Sequence, residues 1–574
     1  MSFVGGVVFL HGNGDEMKFA TVKDRYSSQD IEYFYTTGQW THDTLFDLIE
    51  AQATLLPDKV FLTDNVKTLT FGSLRDEVLS LALGLRRLGL GVGDRVSVQI
   101  PNWVEFAVIA AALSRLGAIL VPIMPIYRRE EVGYILKNAG VKFAFTSENF
   151  KSFEYLKMYE GLRSELVDLQ GIVTVRGSSA RGSDFTRSYD SVVESGSSPD
   201  RLTEIGPGVT PDDHFVIVYS SGTTSRPKGC LHTFNTMACG ARLLSKGFGY
   251  SSDDVQFGPS PVTHTTGLVT SIILPLINGA ASHLMESWEP KGGLEQIAKF
   301  KCTVAVTAAT FLYMLLDVFD LETDDASSMR LWVAAGSPIP SALLKRAKSL
   351  LPELTVLSLY GRTENITTTM CTVEDEEERS LTSDGKALPF QSVKIVGDDG
   401  VELPRGQEGD ISYKGAMHML EYINNPTETA ALFTADGHSR SGDLGYMDED
   451  GYVRVTGRLK DIVIRGGLNI SVRQVEDLLV AHPGVKEVAV VGMPDERLGE
   501  RICCYVVPQP GYGPIDLESV KSYLTSQGLA IQKMPERLEI IEHMPMTATG
   551  KIQKHLLRAD IASKVDSPKG TLGG

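Results

Sequence analysis

The sequence predicts an α/β protein, in which a large N-terminal domain of two doubly wound sheets and a β-rich subdomain precedes a small α+β C-terminal domain. Three observations predict this class. Helical and strand patterns alternate from Ser73, the alternation returns from Leu268, and short alternating strands with Asp-Gly turns follow Gly385. Strands separated by helical patterns form parallel sheets whose faces are covered by helices.

The first sheet is predicted by a helix followed directly by a strand. Val78, Leu79, Ala82 and Leu83 share one helical face, and the strand RVSVQIP alternates apolar and polar residues after the glycines that end the helix. The predicted elements then continue with a helix at 104–116, a strand at 118–122, a helical stretch near Glu131 and a strand at 142–146.

The second sheet follows a stretch of different composition. Residues 177–208 are rich in Ser, Gly, Arg and Asp, which predicts a linker or an excursion of the chain before the alternation resumes at Phe215. Ligands of doubly wound sheets bind at the carboxyl ends of the strands. The predicted elements are helices near Thr270, Leu294, Phe311 and Ser341, and strands at 303–307, 331–335 and 355–359.

The pattern changes again beyond Lys460. The segments NISVRQVEDLLVAHP, EVAVVGMPDERLGERICCYVVP, LESVKSYLTS and RLEIIEHMP predict a helix, a hairpin, a helix and a strand. Together they form a compact α+β unit of about 115 residues, which is a normal domain size. We therefore expect an N-terminal domain at residues 1–457 and a C-terminal domain at residues 458–574.

Composition limits the possible partners and compartment. A net charge of −17, with 42% hydrophobic and 22% charged residues, is typical of a globular protein that binds neither nucleic acid nor anionic membranes. Six cysteines without a CxxC or a metal-spaced cluster favour a reduced, cytoplasmic location. The apolar run at 4–10 lacks a basic flank and is too short for a transmembrane segment, so we expect neither a signal peptide nor a membrane span.

The segment YSSGTTSRPKGC, residues 219–230, combines hydroxyls, glycines and two cations after an apolar strand. Hydroxyl and backbone N–H groups bind phosphate oxygens, and Arg226 and Lys228 add positive charge, which favours a nucleotide polyphosphate site. The Walker A pattern is excluded because Pro227, not glycine, precedes Lys228. A flexible surface loop has a similar composition, so this segment alone leaves both interpretations open.

Five separated motifs resemble those of the adenylate-forming superfamily, which includes acyl-CoA synthetases, luciferases and peptide-synthetase adenylation domains. The resemblance extends over about residues 40 to 560, and five motifs in order are far more specific than any one. The motifs are the phosphate loop YSSGTTSRPKG (219–229), the adenine-contacting turn AAGSPIP (334–340), the second nucleotide motif YGRTE (360–364), the ribose, hinge and tunnel segment (441–470), and the lysine loop PMTATGKIQK (545–554).

The resemblance implies a nucleotide site built from four of these motifs. Asp443 matches the carboxylate that accepts both ribose hydroxyls, and Arg458 matches a cation beside ribose and phosphate. The remaining matches are Ser220, Ser221, Gly222, Thr223, Thr224 and Lys228 for the phosphates, Ala335, Gly336 and Ser337 for the adenine, and Tyr360 in the second nucleotide motif.

The resemblance also implies the groups that act on the reactants. A carboxylate attacks the α-phosphate of ATP, and because both partners are anions, cations must offset their repulsion. Lys551 matches the family lysine between them, Thr363 a phosphate hydroxyl and Glu364 the Mg²⁺ ligand, since Mg²⁺ uses a carboxylate with phosphates and water. His264 matches an aromatic position of the acyl pocket, with structural and proton-transfer roles as alternatives.

A hinge and a tunnel are implied for the C-terminal domain. Lys460 matches the hinge residue, within residues 458–461, about which the small mobile domain swings. Gly466 and Gly467 match glycines lining the tunnel for the pantetheine thiol of CoA, where a side chain would obstruct the approach.

Four positions depart from the family pattern without removing a catalytic group. Arg362 occupies a variable, often apolar position near the nucleotide and acyl sites, where it either forms a local salt bridge or meets a polar substrate. Ser225 replaces a glycine of the phosphate loop, and Val472 and Gln474 replace a common Pro and Glu.

The expected function is an ATP- and Mg²⁺-dependent carboxylic acid:CoA ligase that forms an acyl-adenylate and then a thioester. The N-terminal spacing loosely resembles ligases for cyclohexanecarboxylate and medium-chain acids. An adenylase that serves a carrier protein and a non-catalytic nucleotide sensor are the alternatives, although the joint presence of Lys551, Glu364 and Asp443 argues against the sensor. The sequence does not identify the acid, because residues distant from one another in the sequence build its pocket. It is compatible with a homodimer as well as with a monomer.

Overall fold

The computed structural model describes residues 19–177, 185–220, 226–336, 339, 341–546 and 552–566 of the 574-residue chain. Helices and strands are numbered separately in chain order. The first sheet contains β3 (Arg95–Gln99), β4 (Ile119–Pro122), β5 (Phe143–Ser147), β8 (Gly171–Val175), β9 (Thr186–Ser188), β10 (His214–Ser220), β11 (Lys228–Thr233) and β21 (Glu421–Tyr422). Their spatial order is β21-β11-β10-β4-β3-β5-β8-β9, and the neighbours from β10 to β9 are parallel.

The second sheet has the same style of winding. It contains β1 (Val60–Thr63), β2 (Thr68–Thr70), β12 (Val255–Gly258), β13 (Ala281–Leu284), β14 (Val304–Thr307), β15 (Leu331–Ala335), β16 (Thr355–Tyr360), β17 (Thr369–Met370) and β18 (Lys386–Ala387). The order is β18-β17-β16-β15-β14-β12-β13-β1-β2, with parallel neighbours from β16 to β1. In the first sheet β4 and β5 lie on opposite sides of β3, and in the second sheet β13 and β14 lie on opposite sides of β12. This arrangement confirms the predicted double winding.

Helices cover and connect the two sheets. The largest apolar core joins both sheets, because it contains Val96 from β3, Val304 from β14 and the apolar residues of two buried helices, 105–116 and 234–247. The helices of this region are α1 (Val22–Arg25), α2 (Ser28–Thr36), α3 (Leu45–Leu55), α4 (Phe71–Arg87), α5 (Glu105–Leu116), α6 (Arg129–Ala139), α7 (Tyr155–Leu162), α8 (Tyr189–Ser195), α9 (Arg201–Ile205), α10 (Phe234–Gly247), α11 (Thr265–Leu268), α12 (Leu274–Ile277), α13 (Pro290–Phe300), α14 (Ala309–Asp317), α15 (Ser341–Leu350), α16 (Glu377–Thr382) and α17 (Pro426–Ala431).

The linker prediction for residues 177–208 is wrong where the structure describes this segment. It forms β9, which extends the first sheet beside β8, and the helices α8 and α9. A Cβ on Gly84 of α4 would lie 2.1 Å from the carbonyl oxygen of Val192, and one on Gly196 would lie 1.9 Å from that of Ser80. The small residues that suggested a linker therefore allow α8 to pack closely against α4.

Two smaller sheets follow the second doubly wound sheet. The predicted β-rich subdomain is an antiparallel sheet of β19 (Ser392–Val396), β20 (Gly409–Lys414), β22 (Ser439–Met447) and β23 (Val453–Arg458). The predicted α+β unit contains β24 (Val463–Arg465), β25 (Leu468–Ile470), α18 (Arg473–Val480), β26 (Val485–Asp495), β27 (Gly499–Pro508), α19 (Leu517–Ser526), β28 (Arg537–Ile540) and α20 (Lys554–Asp566). A short hairpin, β6 (Asn149–Phe150) and β7 (Phe153–Glu154), completes the strands of the described ranges.

Two global properties complete the description. All six cysteines are buried with free thiols, and burial raises the pKa of each: Cys230, Cys239, Cys302, Cys371, Cys503 and Cys504. Within the described residues, no helix combines the length and apolar character needed to cross a membrane.

Candidate active site

The phosphate loop connects two antiparallel strands of the first sheet. Ser220 is the last residue of β10 and pairs with Lys228, the first residue of β11. The two residues therefore lie where the loop leaves and re-enters the sheet. The Arg226 guanidinium lies 5.2 Å from the centre of the Tyr134 ring. The predicted phosphate contacts Ser221, Gly222, Thr223 and Thr224, and the departure at Ser225, lie outside the described residues.

Lys228 lies in a polar environment built by chain segments distant in sequence. Its ammonium forms an ion pair with Glu428 of α17 and lies 4.9 Å from the centre of the Tyr422 ring. Burial lowers the pKa of Lys228, and the positive charge of Lys460 lowers it further. The predicted phosphate-loop lysine and the predicted hinge lysine therefore repel each other, and a polyphosphate beside them would relieve that repulsion.

Glu364 is a largely covered carboxylate, 15% exposed, that is held by two neighbours. The Tyr422 hydroxyl donates to Glu364 Oε1 at 2.5 Å, and Arg362 Nε lies 3.4 Å from Glu364 Oε2. Burial by itself would raise the pKa of Glu364, but the Arg362 charge and the Tyr422 hydrogen bond outweigh it, so the pKa is lowered. The carboxylate is consequently ionised at neutral pH, and Arg362 makes the local salt bridge that was one of its two predicted roles.

Two hydrogen bonds hold the backbone at Thr363 and Glu364, and one of them comes from β11, the strand that follows the phosphate loop. His232 of β11 donates from Nε2 to the carbonyl oxygen of Thr363 at 2.8 Å, and the backbone N–H of Met419 donates to the carbonyl oxygen of Glu364 at 2.8 Å. Burial lowers the pKa of His232 to about 4, so this histidine is neutral. The strand that follows the phosphate loop thus contacts the second nucleotide motif directly.

Asp443 is the second carboxylate of the site, and it is buried. It lies on β22 opposite Arg458 of β23, whose Nε donates to Asp443 Oδ1 at 3.0 Å. The Tyr360 hydroxyl, at the end of β16, donates to Asp443 Oδ2 at 2.7 Å. The Asp443 charge raises the pKa of Arg458. Tyr360 and Arg458, two predicted nucleotide residues from other strands, therefore both bind the carboxylate of the third, Asp443.

The adenine turn and the acyl-pocket histidine both follow strands of the second sheet. Ala335 ends β15 and Gly336 follows it with a φ of +77°, which favours glycine, whereas Ser337 lies outside the described residues. His264 precedes α11 and caps it, because its Nδ1 accepts from the backbone N–H of Thr266 at 3.3 Å. Ala335 and Gly336 thus lie at the carboxyl end of β15, and His264 lies in the segment that follows β12.

The hinge and tunnel positions lie on short turns. Lys460 lies in a 3-10 turn, Leu459–Asp461, whose carbonyl at Lys460 accepts from Arg558 of α20 at 3.0 Å. Gly466 and Gly467 form the β24–β25 turn with φ values of +58° and +85°. A Cβ on Gly467 would meet no atom within 4 Å in this arrangement, so its backbone conformation is what requires glycine here. Lys551 lies outside the described residues.

Three residues of the site were missed by the sequence analysis: His232, Tyr422 and Glu428. His232 had a usable signal, because it belongs to the buried strand β11 directly after the phosphate loop. Tyr422 and Glu428 had none, because they reach Glu364 and Lys228 from a segment without a motif, which pairs with β11 only in the folded sheet.

The arrangement brings together two carboxylates and a cationic region from separate chain segments. Asp443 with Arg458 provides a carboxylate that can accept from hydroxyl groups, and Lys228 with Lys460 provides positive charge. Glu364 is a single ionised carboxylate. No group of three or more metal-ligating side chains occurs within the described ranges, so a cation here would take ligands from a bound phosphate.

Comparison with known proteins places these features in one family. Residues 49–423 match the AMP-binding enzyme family, and residues 474–551 match the AMP-binding enzyme C-terminal domain. The medium-chain fatty-acid–CoA ligase of Escherichia coli (strain K12) is 33% identical over 529 residues, which cover 92% of each chain. The 2,3-dihydroxybenzoate-AMP ligase of Bacillus subtilis (strain 168) is 28% identical over 93% of this chain and 96% of its own. A solved anthranilate CoA ligase in complex with anthranoyl-AMP has a TM-score of 0.83 and 25% identity, covering 91% of this chain and 98% of that one.

Proposed function

Since the chain belongs to the AMP-binding enzyme family of acyl-CoA synthetases, we propose that it joins a carboxylic acid to CoA in two steps. In the first step, a carboxylate oxygen attacks the α-phosphorus of ATP, giving an acyl-adenylate and pyrophosphate. In the second step, the CoA thiol loses its proton and attacks the acyl carbon, giving a thioester and AMP. The buried Asp443 that binds both Arg458 and Tyr360 is the observation that carries this proposal.

The nucleotide contacts follow from the charges of the site. The Asp443 carboxylate accepts the ribose hydroxyls, with Tyr360 and Arg458 holding its orientation. Lys228 and Thr363 contact the phosphates, together with the phosphate loop. The backbone after β15 contacts the adenine.

Glu364 is the residue that fits Mg²⁺. Its carboxylate is ionised and 15% exposed, and Mg²⁺ combines one or two carboxylates with phosphate oxygens and water. When bound, the ion neutralises charge on the phosphates. Arg362 and Tyr422 keep the carboxylate charged and oriented for this role.

Two faces of a C-terminal domain, residues 458–574, serve the two steps. Lys551 offsets the repulsion between the acid and ATP in the first step. A rotation at residues 458–461 then brings Gly466 and Gly467 to the site, where they leave room for the thiol. Lys460 lies at this hinge, and His264 forms a wall of the acyl pocket.

The acid is proposed to be of medium chain length, on the similarity to the Escherichia coli ligase. The alternative acceptor is a carrier protein, because a 2,3-dihydroxybenzoate-AMP ligase is also among the relatives. A panel of aliphatic, alicyclic and aromatic acids, assayed with ATP and Mg²⁺ in the presence and absence of CoA, distinguishes these possibilities.

We expect AMP, pyrophosphate and an acyl-CoA for medium-chain acids when CoA is present. Formation of an acyl-adenylate that never yields a thioester with CoA would favour the carrier protein. Stoichiometric ADP would contradict the proposal, because attack at the α-phosphorus releases AMP. Binding of ATP with no turnover of any acid would favour a nucleotide sensor.

A further inference from the structure

We propose that Asn102 is a positioning residue for the carboxylic acid, because its side-chain amide fixes the loop that presents His264. This inference rests on the proposed function, in which His264 forms a wall of the acyl pocket. The loop comprises residues 259–264, between β12 and α11, and is called the acyl loop below.

The Asn102 side chain makes a complete set of hydrogen bonds to the backbone of the second sheet. Its Nδ2 donates to the carbonyl oxygens of Ser260 and Met285, both at 3.0 Å, and lies 3.3 Å from that of Gly258. Its Oδ1 accepts from the backbone N–H of Val262 at 2.9 Å. Asn102 is only 6% exposed, so water does not replace these bonds.

The position of Asn102 in the topology explains why these contacts matter. Asn102 follows β3, the strand from which the chain of the first sheet runs to both sides, and the acyl loop follows β12, the equivalent strand of the second sheet. Ligands of doubly wound sheets bind beside the carboxyl ends of such strands. The amide therefore joins the ligand-binding edges of the two sheets.

A short chain of contacts connects this amide to His264. The His264 backbone N–H donates to the carbonyl oxygen of Pro261 at 3.0 Å, one residue before the N–H that Asn102 holds. A Cβ on Gly267 would lie 2.1 Å from the same Pro261 oxygen, so α11 packs directly against the loop. A shift of Pro261 and Val262 would consequently move both the histidine and the helix that it caps.

Asparagine is the side chain that this geometry requires. Two donors and one acceptor are needed at a fixed spacing, and the primary amide supplies them. An aspartate has the same shape, but its carboxylate would face the carbonyl oxygens of Ser260 and Met285, with which it cannot form hydrogen bonds while ionised. The substitution Asn102→Asp therefore disturbs the loop without changing the volume of the side chain.

The test is a double-mutant cycle on steady-state kinetics with the full chain and a medium-chain acid. We expect Asn102→Asp to raise the KM for the acid at least tenfold while the KM for ATP changes less than twofold. His264→Ala should raise the KM for the acid as well. In the His264→Ala background, Asn102→Asp should raise it by less than threefold further, because both changes remove the same wall.

Controls separate positioning from folding. Asn278→Asp changes another asparagine whose amide binds the Leu274 carbonyl and the Ser245 hydroxyl, away from the acyl loop, and should leave the KM for the acid unchanged. Thermal unfolding and ATP titration identify folded variants. If Asn102→Asp does not fold, Asn102→Ser, which retains one donor, replaces it in the cycle.

Three results would overturn the inference about Asn102 alone: an unchanged KM for the acid in a folded Asn102 variant, fully multiplicative effects of the two substitutions, or an equal effect of Asn278→Asp. The proposed function fails separately, if the unmodified protein forms no AMP from any acid of the panel.

Discussion

Arg362 supplies the positive charge that keeps Glu364 ionised inside the protein. The side chain of Arg362 is 9% exposed, and that of Glu364 is 15% exposed, so neither charge is well solvated. Removing one partner of a buried pair leaves the other charge without compensation, which costs more than the pair itself contributes. The same arginine donates to the backbone carbonyl of Arg440 at 3.0 Å, which fixes its orientation.

We expect Arg362→Leu to shift the pH dependence of ATP use. The Arg362 charge, the largest effect that opposes the burial of Glu364, would then be lost, so the pKa of Glu364 would rise from its present lowered value. Because the ionised form acts in the proposed mechanism, activity is present above this pKa and lost as pH falls through it. The acidic limb of kcat/KM for ATP should therefore move to higher pH in the variant.

Arg362→Lys is the matched control, because it retains the charge while losing the planar guanidinium. Its acidic limb should lie closer to that of the unmodified protein than the limb of Arg362→Leu does. Identical limbs in all three proteins would contradict the role assigned to Arg362.

Asp443→Asn tests the ribose site with a side chain of the same shape. The amide oxygen still accepts a hydrogen bond, but the charge-assisted contacts are lost, so ATP binding should weaken by roughly 1.5–3 kcal/mol. Isothermal titration calorimetry with ATP gives this value, and a titration with CoA should change little. Asp450→Asn, an exposed change in the turn between β22 and β23, is the control. Equal ATP affinity in folded Asp443→Asn would refute the assignment.

At the scale of elements, the contact between α4 and α8 depends on two glycines. A Cβ on Gly84 would lie 2.1 Å from a backbone oxygen of α8, and backbone cannot move aside as a flexible side chain does. Replacing glycine by alanine within a helix gains about 1 kcal/mol of helix propensity. Overpacking costs about 1–3 kcal/mol, and occasionally more, so packing outweighs propensity here.

Gly84→Ala should therefore lower the free energy of unfolding by up to about 2 kcal/mol, after the gain in propensity is subtracted from the packing cost. Urea unfolding followed by circular dichroism measures this change. Gly208→Ala is the control, because its Cβ would make only an ordinary contact, 3.6 Å from an Arg115 nitrogen. A Gly84→Ala variant as stable as Gly208→Ala would mean that α8 adjusts its position freely.

The sequence predicted the helices and strands whose apolar pattern reflects a buried face within the element itself. The strand at 118–122 and the helix at 104–116 differ by one residue from β4 and α5. Residues 177–208 were misread because close helix packing and a linker both require small residues, and only the contacts with α4 distinguish them. The pairing of strands has the same limitation, since β21, which pairs with β11, follows it almost two hundred residues later in the sequence.

The candidate site was predicted to the extent that its residues lie in motifs. Asp443 and Arg458 come from the ribose, hinge and tunnel segment and Tyr360 from the second nucleotide motif, and the structure brings them together. His232 and Tyr422 orient the predicted residues from outside the motifs, so their roles depend on three-dimensional proximity. The functional roles themselves stay predictions that the experiments above test.

At the scale of the whole molecule, the 3-10 turn at Lys460 precedes the C-terminal α+β unit. Arg558 of α20 forms an ion pair with Asp461 and also donates to the Lys460 carbonyl. The turn is thus attached to the last described helix of the C-terminal unit. A rotation at this turn would carry α20 with it while the Asp443 site stays on β22.

Lys551→Ala and Lys460→Pro should affect opposite half-reactions. Loss of Lys551 removes one charge-stabilising group, so acyl-adenylate formation should fall by on the order of 10² to 10³. Supplied acyl-adenylate should still react with CoA. Lys460→Pro fixes φ at the hinge and should slow thioester formation more than adenylation. Pyrophosphate exchange and thioester formation from supplied adenylate measure the two steps, and equal losses in both steps for each folded variant would exclude alternating faces.

Because all six thiols are buried, their alkylation reports which part of the protein unfolds transiently. A thiol alkylates as a thiolate, so a buried cysteine with a raised pKa reacts only while its surroundings are transiently unfolded. Cys503 and Cys504 lie on β27, whereas the other four lie before the C-terminal unit, on β11, on α10, between α13 and β14, and directly after β17. If the C-terminal unit opens alone, mass spectrometry after a timed iodoacetamide pulse should find two labels before it finds six.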